Sequence, residues 1–161
     1  MDDANRNDIG AALGRVPAGL FILTAEHEER RTGILASWVQ QVAFKPPMVS
    51  VAVAKGRNIL PLISGSHRFG LCQLPDNDKV LLRKFAGSID LDEDPFLGFD
   101  VVSDTQTPLP ILANGLGYLE CEVASHMDVE GDHDLFVGRV VAGRYFGGKP
   151  FIHVRDNGFK Y

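Results

Sequence analysis

Residues 48–58 read MVSVAVAKGRN and contain the clearest β-strand pattern of the sequence. Three valines at alternate positions are separated by serine and alanine, which is the period-two pattern of a strand. Because both faces carry apolar or small side chains, this strand is expected to meet little solvent on either side. The polar residues 55–58 predict a turn at its end, before a helix at residues 59–64 that tolerates Pro61 in its first turn.

Outward from this strand, further short apolar segments are bounded by Gly, Pro or charged residues. Strands are predicted at residues 18–25, 32–42, 48–54, 69–74, 118–125, 135–145 and 151–154. Short helices are predicted at residues 8–16, 59–64 and 79–85, and residues 88–110 form an acidic, Pro-bearing segment expected at the surface. Few long helices separate the strands, which disfavours a parallel sheet. We therefore expect a mainly β fold with peripheral helices, an antiparallel barrel forming one domain over residues 1–161.

Composition excludes several classes of protein. The chain has 161 residues, a formal net charge of -5 and no cluster of Lys and Arg, which argues against nucleic-acid binding. No apolar run reaches the roughly 18 residues of a membrane span, and the polar, acidic start is unlike a signal peptide. We therefore expect a cytoplasmic protein with no membrane partner. Cys72 and Cys121 lack metal-binding spacing and are expected to be buried free thiols.

The common catalytic and nucleotide-binding signatures are missing. The sequence contains no GxSxG motif, no Walker A loop and no GxGxxG motif. His126 and His133 are seven positions apart across a glycine, which is a weak metal signal, and no metal is expected. Any ligand site must therefore be built from less specific features.

Three short segments are candidate ligand-binding features, and each also has an ordinary structural interpretation. The small residues in GILASW, residues 33–38, either pack normally or let a flat heteroaromatic ligand approach the strand backbone. KGRN, residues 55–58, forms either a solvated turn or an anion cradle before a helix start. GDH, residues 131–133, forms either a turn or a site where His133 faces a ligand.

In their order along the chain, these features resemble the flavin-reductase-like family of FMN-binding split barrels. The resemblance runs from about Leu13 to the C-terminus and rests on the ordered set of motifs rather than on any one of them. The motifs are GLFILT (19–24), LASW (35–38), FKPP (44–47), the strand 49–54 with KGRN (55–58), Phe69, the helix end 82–86, LEC (119–121), GDH (131–133) and the aromatic tail ending in Tyr161. Residues 36–38 and the tail from His153 most resemble the flavin-reductase domain of diflavin flavoproteins.

The resemblance implies a homodimer with FMN at or near the subunit interface. The implied cofactor-binding residues are Leu35, Ala36, Ser37, Trp38, Val39, Ala52, Val53, Ala54, Lys55 and Asn58. By position, residues 35–39 and 52–54 would lie along the isoalloxazine ring, with Ser37 bonding its polar edge. Lys55 and Asn58 would hold the phosphate, and His133, the implied catalytic residue, would approach the nicotinamide or the reactive face of the flavin.

Three functions agree with this resemblance. The first is an NAD(P)H:flavin oxidoreductase that transfers a hydride from NADH or NADPH to FMN, after which an acceptor protein or free flavin takes the electrons. The second is an FMN-bound electron carrier of the flavoredoxin type, without a nicotinamide site. The third is a flavin-binding protein without turnover, for storage or sensing. The cofactor carries the redox chemistry in each case, so the absence of a strong general base excludes none of them.

Overall fold

The computed structural model describes residues 1–161. Its elements are α1 (Asp3–Gly14), β1 (Ala18–Gly19), β2 (Phe21–His27), β3 (Arg30–Ala36), β4 (Val39–Ala43), β5 (Met48–Ala54), α2 (Ile59–Ser66), β6 (Arg68–Gln73), α3 (Lys79–Ala86), β7 (Gly117–Asp128), β8 (His133–Tyr145) and β9 (Ile152–His153). The strand predicted at residues 48–54 is confirmed with the same bounds. The first helix begins earlier than predicted, because the carboxylate of Asp2 rather than Asp8 caps it by accepting the Asn5 N–H at 2.8 Å.

Strands β2 to β8 form one antiparallel sheet in the order β3-β2-β6-β7-β8-β5-β4, and β1 pairs separately with β9. β3 and β4 are therefore the two edges of this sheet. The sheet curls so that the edge strand β3 approaches β5, and β4 continues the sheet beyond β5 as its other edge. The prediction of a mainly β, antiparallel barrel is confirmed, and the barrel is split between β3 and β5. No helix has the length and hydropathy needed to cross a membrane.

The single strand predicted at residues 32–42 is wrong, because the structure has two strands there. Ala36 at the end of β3 lies opposite Phe21 of β2, whereas Val39 at the start of β4 lies opposite Val51 of β5. Ser37 and Trp38 thus carry the chain from one sheet edge to the other. The Ala52 N–H donates to the Trp38 carbonyl at 3.1 Å and ties this crossing to β5.

Two groups of buried side chains form the core. One fills the barrel and includes Phe69 and Phe136, and the other lies beneath α3 and includes Phe85 and Ile111. The expectation that residues 88–110 lie at the surface is wrong in part, because Phe96 and Leu109 are only 1% and 4% exposed within the second group. Most acidic side chains of this segment are exposed, and so are Leu91 and Leu97, whereas Phe96 and Leu109 point into the core.

A fully buried carboxylate anchors the segment that follows α3. Glu120 of β7 accepts hydrogen bonds from the Gln106 N–H at 3.1 Å, the Thr107 N–H at 2.7 Å and the Thr107 hydroxyl. Burying a carboxylate is unfavourable unless its oxygens are hydrogen-bonded, and here both oxygens have donors. Glu120 therefore connects the irregular segment to the centre of the sheet.

Glu120→Ala is expected to lower the free energy of unfolding by about 2–4 kcal/mol, because an unsatisfied buried donor costs roughly 1–3 kcal/mol. Urea unfolding measures this effect. Glu122→Ala is the matched control on the same strand, since the Glu122 side chain is 45% exposed. Equal destabilisation by the two changes would show that Glu120 does not anchor the segment.

Cys72 and Cys121 are buried free thiols, as predicted. Burial raises the pKa of both thiols to about 12 because it disfavours the thiolate. Since the unfolded thiol has a pKa of about 8.5, we expect stability to fall as pH rises above that value. At about pH 8 neither thiol should react with an aromatic disulfide reagent until urea unfolds the chain. Rapid reaction of the native protein would contradict this burial.

Candidate functional site

A cavity of about 420 Å³ lies where β3 approaches β5. Of its 16 lining residues, 13 are hydrophobic. They come from the end of β3 and the crossing (Ile34, Leu35, Ala36, Ser37, Trp38), the end of β5 (Ala52, Val53, Ala54), α3 (Leu82, Phe85, Ala86), Leu20, Arg57 and the C-terminal segment (Phe151, His153, Tyr161). The volume lies within the roughly 300–1,000 Å³ of small-molecule sites, and the lining suits a flat apolar ring.

The strand backbone gives this apolar cavity its polar groups. β3 pairs only with β2, so the other edge of β3 has backbone N–H and C=O groups with no strand partner. Ala36 and Ser37 are small, which lets a ligand come close to this edge. A planar ligand with polar atoms along one side can therefore be bonded by main-chain groups while apolar side chains cover its faces.

Arg57 supplies positive charge at one end of the cavity. It also lines an adjoining cavity of about 210 Å³, together with Thr32, Gly56, Asn58 and Ser88 among others. Arg57 forms no ion pair with a carboxylate. Helix α2 begins at Ile59, directly after this loop, and the side chain of its N-cap Asn58 accepts no hydrogen bond from the first turn of the helix. A free guanidinium beside a helix start is suited to a phosphate.

The predicted phosphate residues are placed differently from expectation. The Lys55 ammonium lies 2.5 Å from an Asp128 carboxylate oxygen and 3.3 Å from the Val129 carbonyl, and Lys55 lines neither cavity. The hydrogen bond to Asp128 raises the pKa of Lys55. Asn58 lines the smaller cavity, with its side-chain amide donating to the Ile89 carbonyl at 3.0 Å. Phosphate binding by Lys55 stays a prediction that requires the Asp128 ion pair to open.

Seven of the other predicted residues line the larger cavity: Leu35, Ala36, Ser37, Trp38, Ala52, Val53 and Ala54. The structure therefore brings together the two segments 35–38 and 52–54, which are apart in sequence. Val39 is outside this group, because it begins β4 and packs against the barrel core.

His133 lies behind the cavity wall, and both of its ring nitrogens have partners. Its Nδ1 is 2.7 Å from an Asp132 carboxylate oxygen, and its Nε2 is 3.1 Å from the Tyr161 hydroxyl. The hydrogen bond from His133 lowers the pKa of Asp132. The rings of His133 and Trp38 pack with centroids 4.6 Å apart, and Trp38 and Tyr161 are 5.9 Å apart. Trp38 and Tyr161 line the cavity, whereas His133 supports them.

Several cavity residues were missed from the sequence. Leu82, Phe85 and Ala86 share one face of α3, but helical spacing by itself predicts only burial against a core. Phe151, His153 and Tyr161 belong to the aromatic tail, whose composition gives no direction to its side chains. Arg57 belongs to the KGRN segment predicted as a turn or an anion cradle, but the resemblance implies only Lys55 and Asn58 as its phosphate-binding residues.

The profile of the family described as "Flavin reductase like domain" matches residues 13–158. The chain is 40% identical over 158 residues to diflavin flavoprotein A 1 of Synechocystis, covering 96% of this chain and 27% of the relative. It is 41% identical over 157 residues to putative diflavin flavoprotein A 3 of Nostoc, again covering 96% and 27%. The chain therefore spans about a quarter of the length of these relatives.

Three solved structures extend the comparison. The NADH:FAD oxidoreductase of Streptomyces globisporus is similar with a TM-score of 0.84 at 22% identity, covering 96% of this chain and 92% of that one, which shows the fold alone. The styrene monooxygenase flavin reductase of Pseudomonas putida has a TM-score of 0.74 at 28% identity, covering 89% and 90%. An FMN-binding protein from Thermus thermophilus has a TM-score of 0.72 at 27% identity, covering 81% and 72%.

Proposed function

Because the chain belongs to the flavin reductase like domain family, we propose that this flavin-related oxidoreductase binds FMN and reduces it with NADH or NADPH. The observation that supports this function most is the cavity between β3 and β5, apolar along its walls and positively charged at one end through Arg57. When bound, the flavin itself supplies the acceptor for a hydride, and the protein supplies binding and orientation.

The residues of the cavity fit FMN in three respects. The walls from β3, β5 and α3 are apolar enough to cover a planar ring system. The unpaired edge of β3, together with Ser37, faces the place where the polar side of the ring would lie. Arg57, together with Asn58 and Ser88 in the adjoining cavity, would hold the phosphate. One similar protein, from Thermus thermophilus, is named for FMN binding, which supports FMN as the flavin.

A nicotinamide nucleotide is the proposed electron donor. The family match supports this proposal, and a protein of the same fold that is named as an NADH:FAD oxidoreductase has a structure with NAD and FAD fragments. In this chain Trp38 and Tyr161 line the cavity together and would guide a second ring toward the flavin. His133 would act there by holding the Tyr161 hydroxyl.

A second candidate is an FMN-bound electron carrier that takes electrons from a protein instead of a nicotinamide nucleotide. The observation in its favour is the length of the curated relatives, of which this chain matches about a quarter. Those diflavin proteins extend well beyond the matched part, and a donor or acceptor group in such an extension would make a nicotinamide site unnecessary.

Anaerobic titration distinguishes these functions. The purified protein is loaded with FMN, then NADH or NADPH is added and the flavin absorbance is followed. A reductase loses the absorbance of oxidised flavin within seconds. A carrier retains it with both nucleotides and loses it when a reduced protein donor is added. A protein that binds no added FMN would contradict both functions.

We also propose that the chain acts as a homodimer, with an electron acceptor protein or free flavin receiving the electrons. Val42 of the edge strand β4 is 51% exposed, and Phe44, in the turn directly after β4, is 87% exposed. Exposed apolar side chains beside an unpaired strand edge are typical of a surface that another chain covers.

The two free thiols suit a reducing compartment, and we propose that the protein acts in the cytoplasm.

Phe44→Asp is expected to convert the dimer to a monomer, because it places a charge in the apolar contact. Light scattering during size-exclusion chromatography measures the mass. Leu97→Asp is the matched control, since Leu97 is 73% exposed and belongs to the segment between α3 and β7, not to β4. A monomeric unmodified protein, or a Phe44→Asp variant that remains dimeric, would contradict the proposed interface.

A further inference from the structure

The C-terminal segment, residues 151–161, is bonded along its length to the N-terminal part of the chain. The Leu20 N–H donates to the Phe151 carbonyl at 3.2 Å, and β9 pairs with β1. Farther along, the Arg155 N–H donates to the Gly14 carbonyl at 2.8 Å, and the Gly158 N–H donates to the Gly10 carbonyl at 2.6 Å. The end of α1 therefore holds the segment that carries Tyr161.

Glycine makes this close approach possible. Gly10 and Gly14 are the buried residues of α1, whereas its apolar side chains Ile9 and Leu13 are 36% and 46% exposed. A Cβ atom on Gly14 would overlap the Arg155 carbonyl, and one on Gly158 would overlap the Leu13 Cβ. The helix thus contacts the C-terminal segment through backbone and glycine, not through a conventional apolar face.

At the other end of the segment, three contacts direct Tyr161 to the cavity. The Tyr161 hydroxyl bonds His133 Nε2, and its ring packs beside Trp38. The Arg155 guanidinium lies 5.4 Å from the centroid of the Trp38 ring and 5.7 Å from that of Tyr161. Tyr161 lines the cavity although 79% of its surface is exposed, so it forms the outer wall rather than part of the core.

We propose that α1 clamps residues 155–161 so that Tyr161 closes one side of the flavin cavity and slows the release of flavin. In this arrangement Tyr161 contacts the ligand, and Gly158 and His133 are positioning residues that act through it. The inference rests on the proposed flavin binding and adds that the flavin stays on the protein between turnovers instead of exchanging in each one.

Variants at the two ends of the clamp, Gly158 and Tyr161, distinguish a role of the C-terminal segment in flavin retention from a role in stabilising the fold. Because Tyr161 is mostly exposed, its removal is not expected to unfold the barrel. A segment that only stabilised the fold would therefore leave flavin release unchanged in Tyr161→Ala. Tyr161→Phe keeps the ring and loses the hydroxyl bond to His133, so it should show an intermediate rate of release.

The test measures the rate of FMN release after rapid dilution of the loaded protein, followed by the increase in flavin fluorescence, together with the thermal midpoint. We expect release to be at least about tenfold faster in Tyr161→Ala and in Gly158→Ala, and about threefold faster in Tyr161→Phe. The matched control is Tyr145→Ala, at a side chain that is 72% exposed and lines neither cavity. This control should release FMN at the unmodified rate.

Unmodified release rates in both Tyr161→Ala and Gly158→Ala would overturn the clamp while leaving flavin binding intact. If Gly158→Ala does not fold, the Tyr161 variants decide the question alone. An unmodified protein that binds no FMN would instead remove the proposed function, and with it the clamp, so the two failures are distinguishable.

Discussion

Arg57→Ala is expected to weaken FMN binding by about 10- to 100-fold, because a hydrogen bond to a charged group contributes roughly 1.5–3 kcal/mol. Riboflavin lacks the phosphate that Arg57 would bind, so its affinity should fall by no more than about twofold. Arg57 is the cation that lines both cavities and has no carboxylate partner. Fluorescence titration of the two flavins measures both affinities.

Lys55→Ala is the matched comparison for Arg57→Ala, because the two cations belong to the same loop. The Lys55 ammonium is already paired with Asp128, so its removal should change FMN affinity by less than about threefold, the small effect typical of exposed ion pairs. A large loss of FMN affinity in Lys55→Ala, with little change in Arg57→Ala, would support Lys55 as the phosphate-binding residue, as the family resemblance implies. Equal losses for FMN and riboflavin in Arg57→Ala would show that no phosphate lies there.

Phe85→Ala is expected to lower the free energy of unfolding by about 3–5 kcal/mol, because it leaves a void among buried aromatic rings. Phe85 has no exposed surface, and its ring centroid is 5.7 Å from that of Phe96 and 6.1 Å from that of Phe99. It also lines the larger cavity, so the change should weaken both FMN and riboflavin, in contrast to Arg57→Ala.

Urea unfolding with and without flavin measures the effect of Phe85→Ala. Val80→Ala on the same helix is the control, because Val80 is 68% exposed and its truncation should cost less than about 0.5 kcal/mol. A decrease in the free energy of unfolding below about 1 kcal/mol in Phe85→Ala would mean that α3 does not cover the second group of buried side chains. Unchanged flavin affinity would mean that α3 does not form a wall of the binding site.

Local patterns predicted the parts of the fold that depend on neighbours in sequence. The period-two alternation of residues 48–54 predicted β5 with its bounds, because alternation reports directly on a half-buried or buried strand. The break at Ser37 and Trp38 was missed, because the residues on both sides remain compatible with a strand and only pairing partners reveal the change of edge. The inward side chains of residues 88–110 were missed because their contacts lie across the fold.

The candidate site was predictable as two segments but not as a set of side-chain directions. Residues 35–38 and 52–54 meet at the cavity, and their binding of flavin, which the family resemblance implies, stays a prediction. Lys55 points away from the cavity because its ammonium pairs with Asp128. Asp128 lies 73 positions later in the chain, and no local sequence pattern indicates such a pair. Tyr161 reaches His133 only through the docking of the C-terminal segment on α1, which depends on glycines whose role appears only in three dimensions.

Amide NMR during titration with FMN tests whether flavin binds in the cavity between β3 and β5. We expect the largest shifts in residues 34–38 and 52–57, further shifts around Tyr161, and no change in the exposed turn at Leu97. Saturable FMN binding with its shifts grouped on another surface would contradict the site. The absence of any shift at saturating FMN would contradict flavin binding itself.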